Sequence, residues 1–190
     1  MAGTESIGTA KPKGKKADMT KYVTGKDPPV STFENSNYRW RETYFVLFAA
    51  DQRPTVTQIE RALTGLNDRF ELVNLQADDE GRFESVTVKS HDDGAALDIC
   101  YSGGDEVVEE GRQLVEELSS QASASDLPKI KRIAKSDARF DVLHFQEVAL
   151  SSEDDEADDT FDPSALLVVL DMLVELTHGI AVDPQSGTMV

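Results

Sequence analysis

A chain of 190 residues with 39 % hydrophobic residues and a formal net charge of −17 has room for one domain with tails, and its charge repels nucleic acid and anionic membrane surfaces. Its one cysteine, Cys100, excludes an internal disulfide and fits a reducing cytosol. The longest apolar run, from residue 165, is cut by Asp171 and Glu175, and the opening MAGTESIGTAKPKGKK lacks an apolar centre, so neither a membrane span nor a secretory leader is expected.

The charge is unevenly spread. Residues 1–26 hold Lys11, Lys13, Lys15, Lys16, Lys21 and Lys26 against Glu5 and Asp18, a balance of +4 that leaves −21 on the remainder. Residues 1–40 show no sustained period and read as a flexible basic tail. From Thr43, TYFVLFA is a continuous apolar run of strand length, suited to burial on both faces. Thr55 and Gln58 have the capping-box spacing, and Val56, Ile59, Leu63 and Leu66 follow at helical intervals. Three strand-like pieces come next, over residues 70–76, 82–90 and 96–102, separated by ADDEG and HDDG turns. A second amphipathic helix places Val107, Gly111, Leu114, Val115 and Leu118 on one stripe, with Glu109, Glu110, Arg112, Glu116 and Glu117 outside. DLPKIKRIAK is a short basic element of one or two helical turns with Asp126 as its cap, and residues 139–150 read as a further strand.

That order predicts an α+β fold, the βαββαβ pattern of a ferredoxin-like sandwich over residues 41–150 with room for one extra strand. Both helices would cover one sheet face, leaving the other in need of a cover. An acidic linker, residues 151–162, leads to an added C-terminal helix and β-hairpin over residues 163–190. Asp162 is placed to cap that helix, Pro163 to open it, and Gly179 with His178 to close it. IAVDPQSGTMV reads as a tight hairpin, Asp183-Pro184 opening the turn. The final TMV also has the form of a peptide that adds to a PDZ sheet edge, but the turn chemistry favours the hairpin. The helix is apolar on nearly every side, so it docks either on its own sandwich or on a neighbouring subunit.

No motif specifies a reaction. Asp154, Glu156 and Asp158 alternate like calcium ligands, but the sixth and twelfth positions counted from Asp154 hold Asp159 and Ala165, where an EF-hand loop needs Gly and Glu. The run reads as a solvated linker, or as a lure for a basic partner or for the chain's own lysine tail. Asp171, Glu175 and His178 share one helix face, and Glu175 with His178 has the spacing by which bundles hold iron or manganese; neither His91 nor His144 supplies the second Glu-x-x-His. Cys100 lies inside a strand, where cysteines are usually inert, and only a spatial meeting with His144 would make it a nucleophile. SGGD lacks the spacing and lysine of a P-loop. NYRWRETY mixes Tyr38, Trp40 and Tyr44 with Arg39 and Arg41, a composition favoured at protein interfaces more than at bases in so acidic a body.

The expectation is therefore a cytoplasmic, non-enzymatic interaction or assembly domain, homo-oligomeric, with no cofactor, metal or catalytic set, and with a basic partner at residues 153–162 as a further possibility. Nucleic acid and membrane are not expected partners. A small-ligand-sensing regulatory domain is the alternative, and an enzyme with a metal or thiol site the second.

Overall fold

The computed structural model describes residues 23–24, 32–120, 122–148 and 162–190. They form β1 (Val23–Thr24), β2 (Tyr38–Phe48), α1 (Val56–Leu66), β3 (Glu71–Ala77), β4 (Phe83–Ser90), β5 (Ala95–Gly103), α2 (Asp105–Ser119), α3 (Leu127–Ile133), β6 (Ala138–Glu147), α4 (Ser164–Thr177) and β7 (Ile180–Val182). Local chemistry sets several boundaries. The Thr55 hydroxyl accepts from the Gln58 amide at 3.3 Å while Gln58 Oε1 accepts from the Thr55 amide at 2.8 Å, so the capping box opens α1. Asp162 Oδ1 accepts from the Ser164 amide at 2.9 Å and satisfies an orphan donor of the first turn of α4. Asp126 departs from expectation. Its carboxylate accepts from the Ser123 amide and hydroxyl at 3.0 and 2.5 Å, closing the turn before α3 instead of capping it.

The seven strands make one sheet in the order β1-β3-β4-β5-β6-β2-β7. β1 pairs parallel with β3, and β2 to β7 form a six-strand antiparallel open sheet. This is a mixed α+β fold with four α-helices, but its strand order is not the simple ferredoxin one. A split βαβ unit uses one helix to return to the far end of the sheet, which makes the strands it joins parallel. Here α2 is followed by the reversing turn and α3, and the excursion closes on itself: the Gly104 amide donates to the Asp137 carbonyl at 3.0 Å. β6 therefore starts where β5 ended, runs antiparallel to it, and inserts between β5 and β2.

The helices also divide between the two faces, contrary to the one-sided arrangement expected. Val46, Phe48, Val86, Val88, Leu97, Ile99, Phe140 and Val142 face α1 and α4. Leu47, Ile180 and Val182 face Leu114 and Leu118 of α2 and Ile130 and Ile133 of α3. Strand alternation produces this split, since neighbours 46 and 47 point to opposite sides. α4 docks on the sheet of its own chain: Ala165, Leu166, Val169, Leu170 and Leu173 are all 2 % exposed or less, and burying each large apolar side chain contributes roughly 1.5–3 kcal/mol.

α4 ends in a left-handed residue, but the residue is His178 (φ 53°), not Gly179. Glycine at 179 answers a packing demand. A Cβ there would lie 2.8 Å from the Leu47 carbonyl oxygen and 3.1 Å from Val46 Cγ1, inside the usual contact distance. Arg132 of α3 donates to the carbonyls of His178 and Gly179, capping α4 from the other helical layer. The chain then turns back on itself. The Asp183 carboxylate accepts from the Gln185 amide at 2.8 Å and the Ser186 hydroxyl at 2.6 Å, and the Val190 amide donates to the Ala181 carbonyl. No helix among the described residues is long and apolar enough to cross a membrane.

Candidate functional site

The face of the sheet shared with Leu47 becomes polar toward β4 and β5. Cross-strand pairs Leu47–Arg139, Asp141–Cys100, Ser85–Cys100 and Thr87–Asp98 place these side chains on one side. Asp98 is 8 % exposed and accepts three hydrogen bonds, from the Thr32 amide at 3.0 Å, the Thr32 hydroxyl at 2.7 Å and the Thr87 hydroxyl at 2.6 Å. Such convergence satisfies a carboxylate that would otherwise be costly to bury. It also fixes the short 3₁₀ turn Thr32–Glu34 over the sheet, where the Phe33 ring meets Phe145 edge-on at 4.9 Å between centroids. The sequence signal for Asp98 was a carboxylate in the middle of a strand of Leu, Ile and Cys.

Beside it, burial and the negative charges of Asp98 and Asp141 push the Cys100 thiol up to about 11, so it is protonated and unreactive near neutrality. Asp141 accepts from the Ser102 hydroxyl at 2.8 Å and pairs with Arg139 Nε at 2.8 Å. Arg139 also pairs with Glu110 of α2 and lies 4.2 Å above the Phe45 ring centroid, which ties α2 to the sheet. The buried Ser85 hydroxyl has no hydrogen-bond partner among the described residues.

His144 belongs to the opposite face, its pair partners being Leu97 and Glu42. Its ring is buried, with Nδ1 3.2 Å from Glu42 Oε1. Burial pushes its pKa below the ordinary histidine value, against an opposing pull from Glu42. Cys100 and His144 thus look away from each other across the sheet, and the nucleophile–base pair considered from sequence is not assembled. Asp171, Glu175 and His178 are exposed on α4, and no group of three or more His, Cys, Asp or Glu side chains suited to a metal occurs among the described residues. His91 instead pairs with Glu71 at 2.8 Å. Tyr38, Arg39, Trp40, Arg41 and Tyr44 all belong to β2, where Arg41 Nε donates to Gln146 Oε1 at 2.7 Å and the Trp40 indole to the Thr43 hydroxyl at 3.1 Å. The acidic positions 153–159 lie outside the described residues.

Compared with protein-family models, curated proteins and solved structures, the chain matches none. Its own surface therefore has to supply the functional reading. Among the described residues, concavities of about 150, 180 and 190 Å³ are smaller than the roughly 300–1,000 Å³ of ordinary small-molecule sites. One of them has an apolar floor of Leu47 and Phe48 with Arg132, Lys135 and His178 at its rim. Residues 127–135 carry Lys129, Lys131, Arg132 and Lys135 and no carboxylate, a basic strip on an acidic body. On the other helical layer, Leu167 and Val168 stand 45 % and 44 % exposed.

Proposed function

We propose that this chain is a non-enzymatic assembly domain that associates with further copies of itself. The observation that carries the reading is α4. Its inner side is filled by contacts with its own sheet and α1, yet adjacent Leu167 and Val168 remain nearly half exposed on the outside. Helices on the surface of a monomer normally present polar residues there, and apolar ridges left in water mark contact surfaces. The polar groups with chemical potential support the same reading, since Asp98 is taken up by Thr32 and Thr87 and the Cys100 thiol is held protonated.

Sedimentation velocity on the full chain across a hundredfold concentration range, at about 0.15 M salt where the Debye length falls to about 8 Å, tests the proposal. The expected result is a mass above that of one chain that falls on dilution. A single-chain mass at every concentration overturns the assembly reading.

A further inference from the structure

We infer that α4 of one copy packs its outer stripe along α3 of a second copy; the inference rests on the assembly reading and names its contact surface. On α4, Leu167, Asp171 and Glu175 recur at i, i+4 and i+8 and lie in one line along the helix. Leu167 is 45 % exposed and both carboxylates are exposed. On α3 and the turn that follows it, Leu127, Lys131 and Lys135 repeat the same spacing, with Leu127 47 % exposed and both lysines exposed. Laid parallel, the two stripes match position for position: leucine meets leucine, Lys131 meets Asp171, and Lys135 meets Glu175. Laid antiparallel, Leu127 would meet Glu175 and Lys135 would meet Leu167, so the pattern selects one orientation.

The contact has to be between copies. Within one chain α4 packs on the side of the sheet with α1, and α3 on the side with α2; they approach only where Arg132 reaches the carbonyls of His178 and Gly179 at the end of α4, so the pairing of the full stripes is assigned to different copies. None of Lys131, Lys135, Asp171 and Glu175 forms an ion pair with another described residue, which leaves all four available. Charge complementarity also answers the main obstacle to self-association, the mutual repulsion of bodies carrying −17 each. The α3 stripe is basic and the α4 stripe acidic, so the charges paired along the two stripes are opposite in sign. Each copy offers one stripe of each kind, and the contact is heterologous, closing into a ring or continuing as a chain according to its rotation.

Charge reversal on the full chain tests this arrangement. Lys131→Glu with Lys135→Glu is expected to weaken self-association at least tenfold by sedimentation velocity, and Asp171→Lys with Glu175→Lys likewise. Combining all four reversals in one chain is expected to restore the native association, because the pairing is inverted but complete. Circular dichroism melting of each variant reports folding, and Lys131→Gln with Lys135→Gln provides a milder pair with the same direction of effect. Association unchanged by either reversal, or a four-fold variant no better than the two-fold ones, overturns this interface while leaving the assembly reading in place. A native chain that is monomeric throughout overturns both.

Discussion

Thr32→Val replaces the hydroxyl that donates to Asp98 Oδ1 at 2.7 Å with a methyl of the same shape. The Thr32 amide and the Thr87 hydroxyl keep their bonds to the carboxylate, at 3.0 and 2.6 Å. A hydrogen bond to a charged group contributes about 1.5–3 kcal/mol, and Thr32 and Asp98 are only 7 % and 8 % exposed, so water does not replace the lost donor. The expected destabilisation is about 2 kcal/mol, which for a chain of this length lowers the thermal midpoint by roughly 4–8 °C. Asp98→Ala removes the acceptor for all three donors and strands the buried Thr87 hydroxyl, with an expected loss of about 3–5 kcal/mol. On that background Thr32→Val should cost almost nothing, a coupling of about 2 kcal/mol in a double-mutant cycle. Urea unfolding followed by the fluorescence of Trp40, the one tryptophan, supplies the four free energies. Single effects that add to within about 0.5 kcal/mol would refute the claim that Asp98 holds the Thr32–Glu34 turn to the sheet.

Gly179→Ala drives a methyl to 2.8 Å from the Leu47 carbonyl oxygen, an overpacking expected to destabilise by about 1–3 kcal/mol; a melting temperature equal to or above the parent's contradicts it. The depressed pKa of His144 means that the unfolded chain binds a proton that the folded chain resists. Stability therefore falls as pH drops below about 6.5, by at most about 1.4 kcal/mol per pH unit, until the folded pKa is passed. His144→Phe should flatten urea midpoints between about pH 5 and 7, and an unchanged slope would assign it to other groups. With its thiol at about 11, Cys100 is about one part in a thousand thiolate at pH 8, so iodoacetamide should alkylate it on the order of a hundredfold more slowly than a free thiol. Alkylation at the free-thiol rate would show that the site opens readily.

Features that depend on a few consecutive residues were legible without the structure. The Thr55–Gln58 box, the apolar stripe of α2, the Asp183 turn and the strands β3 to β5 carry short-range signals: side chains that satisfy nearby backbone donors, or a period that matches one element. The early start of β2 at Tyr38 was only weakly legible, because the alternation of Tyr38 and Trp40 with Arg39 and Arg41 breaks at Arg41-Glu42, before the apolar run from Thr43. The partners of residues 38–42 are His144–Glu147 of β6, about a hundred positions away, in a register that slips between Trp40 and Glu42. The candidate site followed the same division. Cys100 was legible as a residue inside a strand, whereas Asp98 became meaningful only when Thr32 was found above it, since nothing local links residues 66 positions apart.

By itself the sequence determined an acidic α+β chain, the kind and approximate extent of each principal element, and a last helix too apolar to stand alone. Tertiary structure decided the rest. The return of the chain from Gly104 to Asp137 set β6 antiparallel between β5 and β2, which separated the helices onto two faces and gave α4 its own sheet to cover. Local propensity specifies how a segment is wound and which side is apolar; only the closure of long loops and the competition for buried surface specify the direction from which it arrives and the surface it meets.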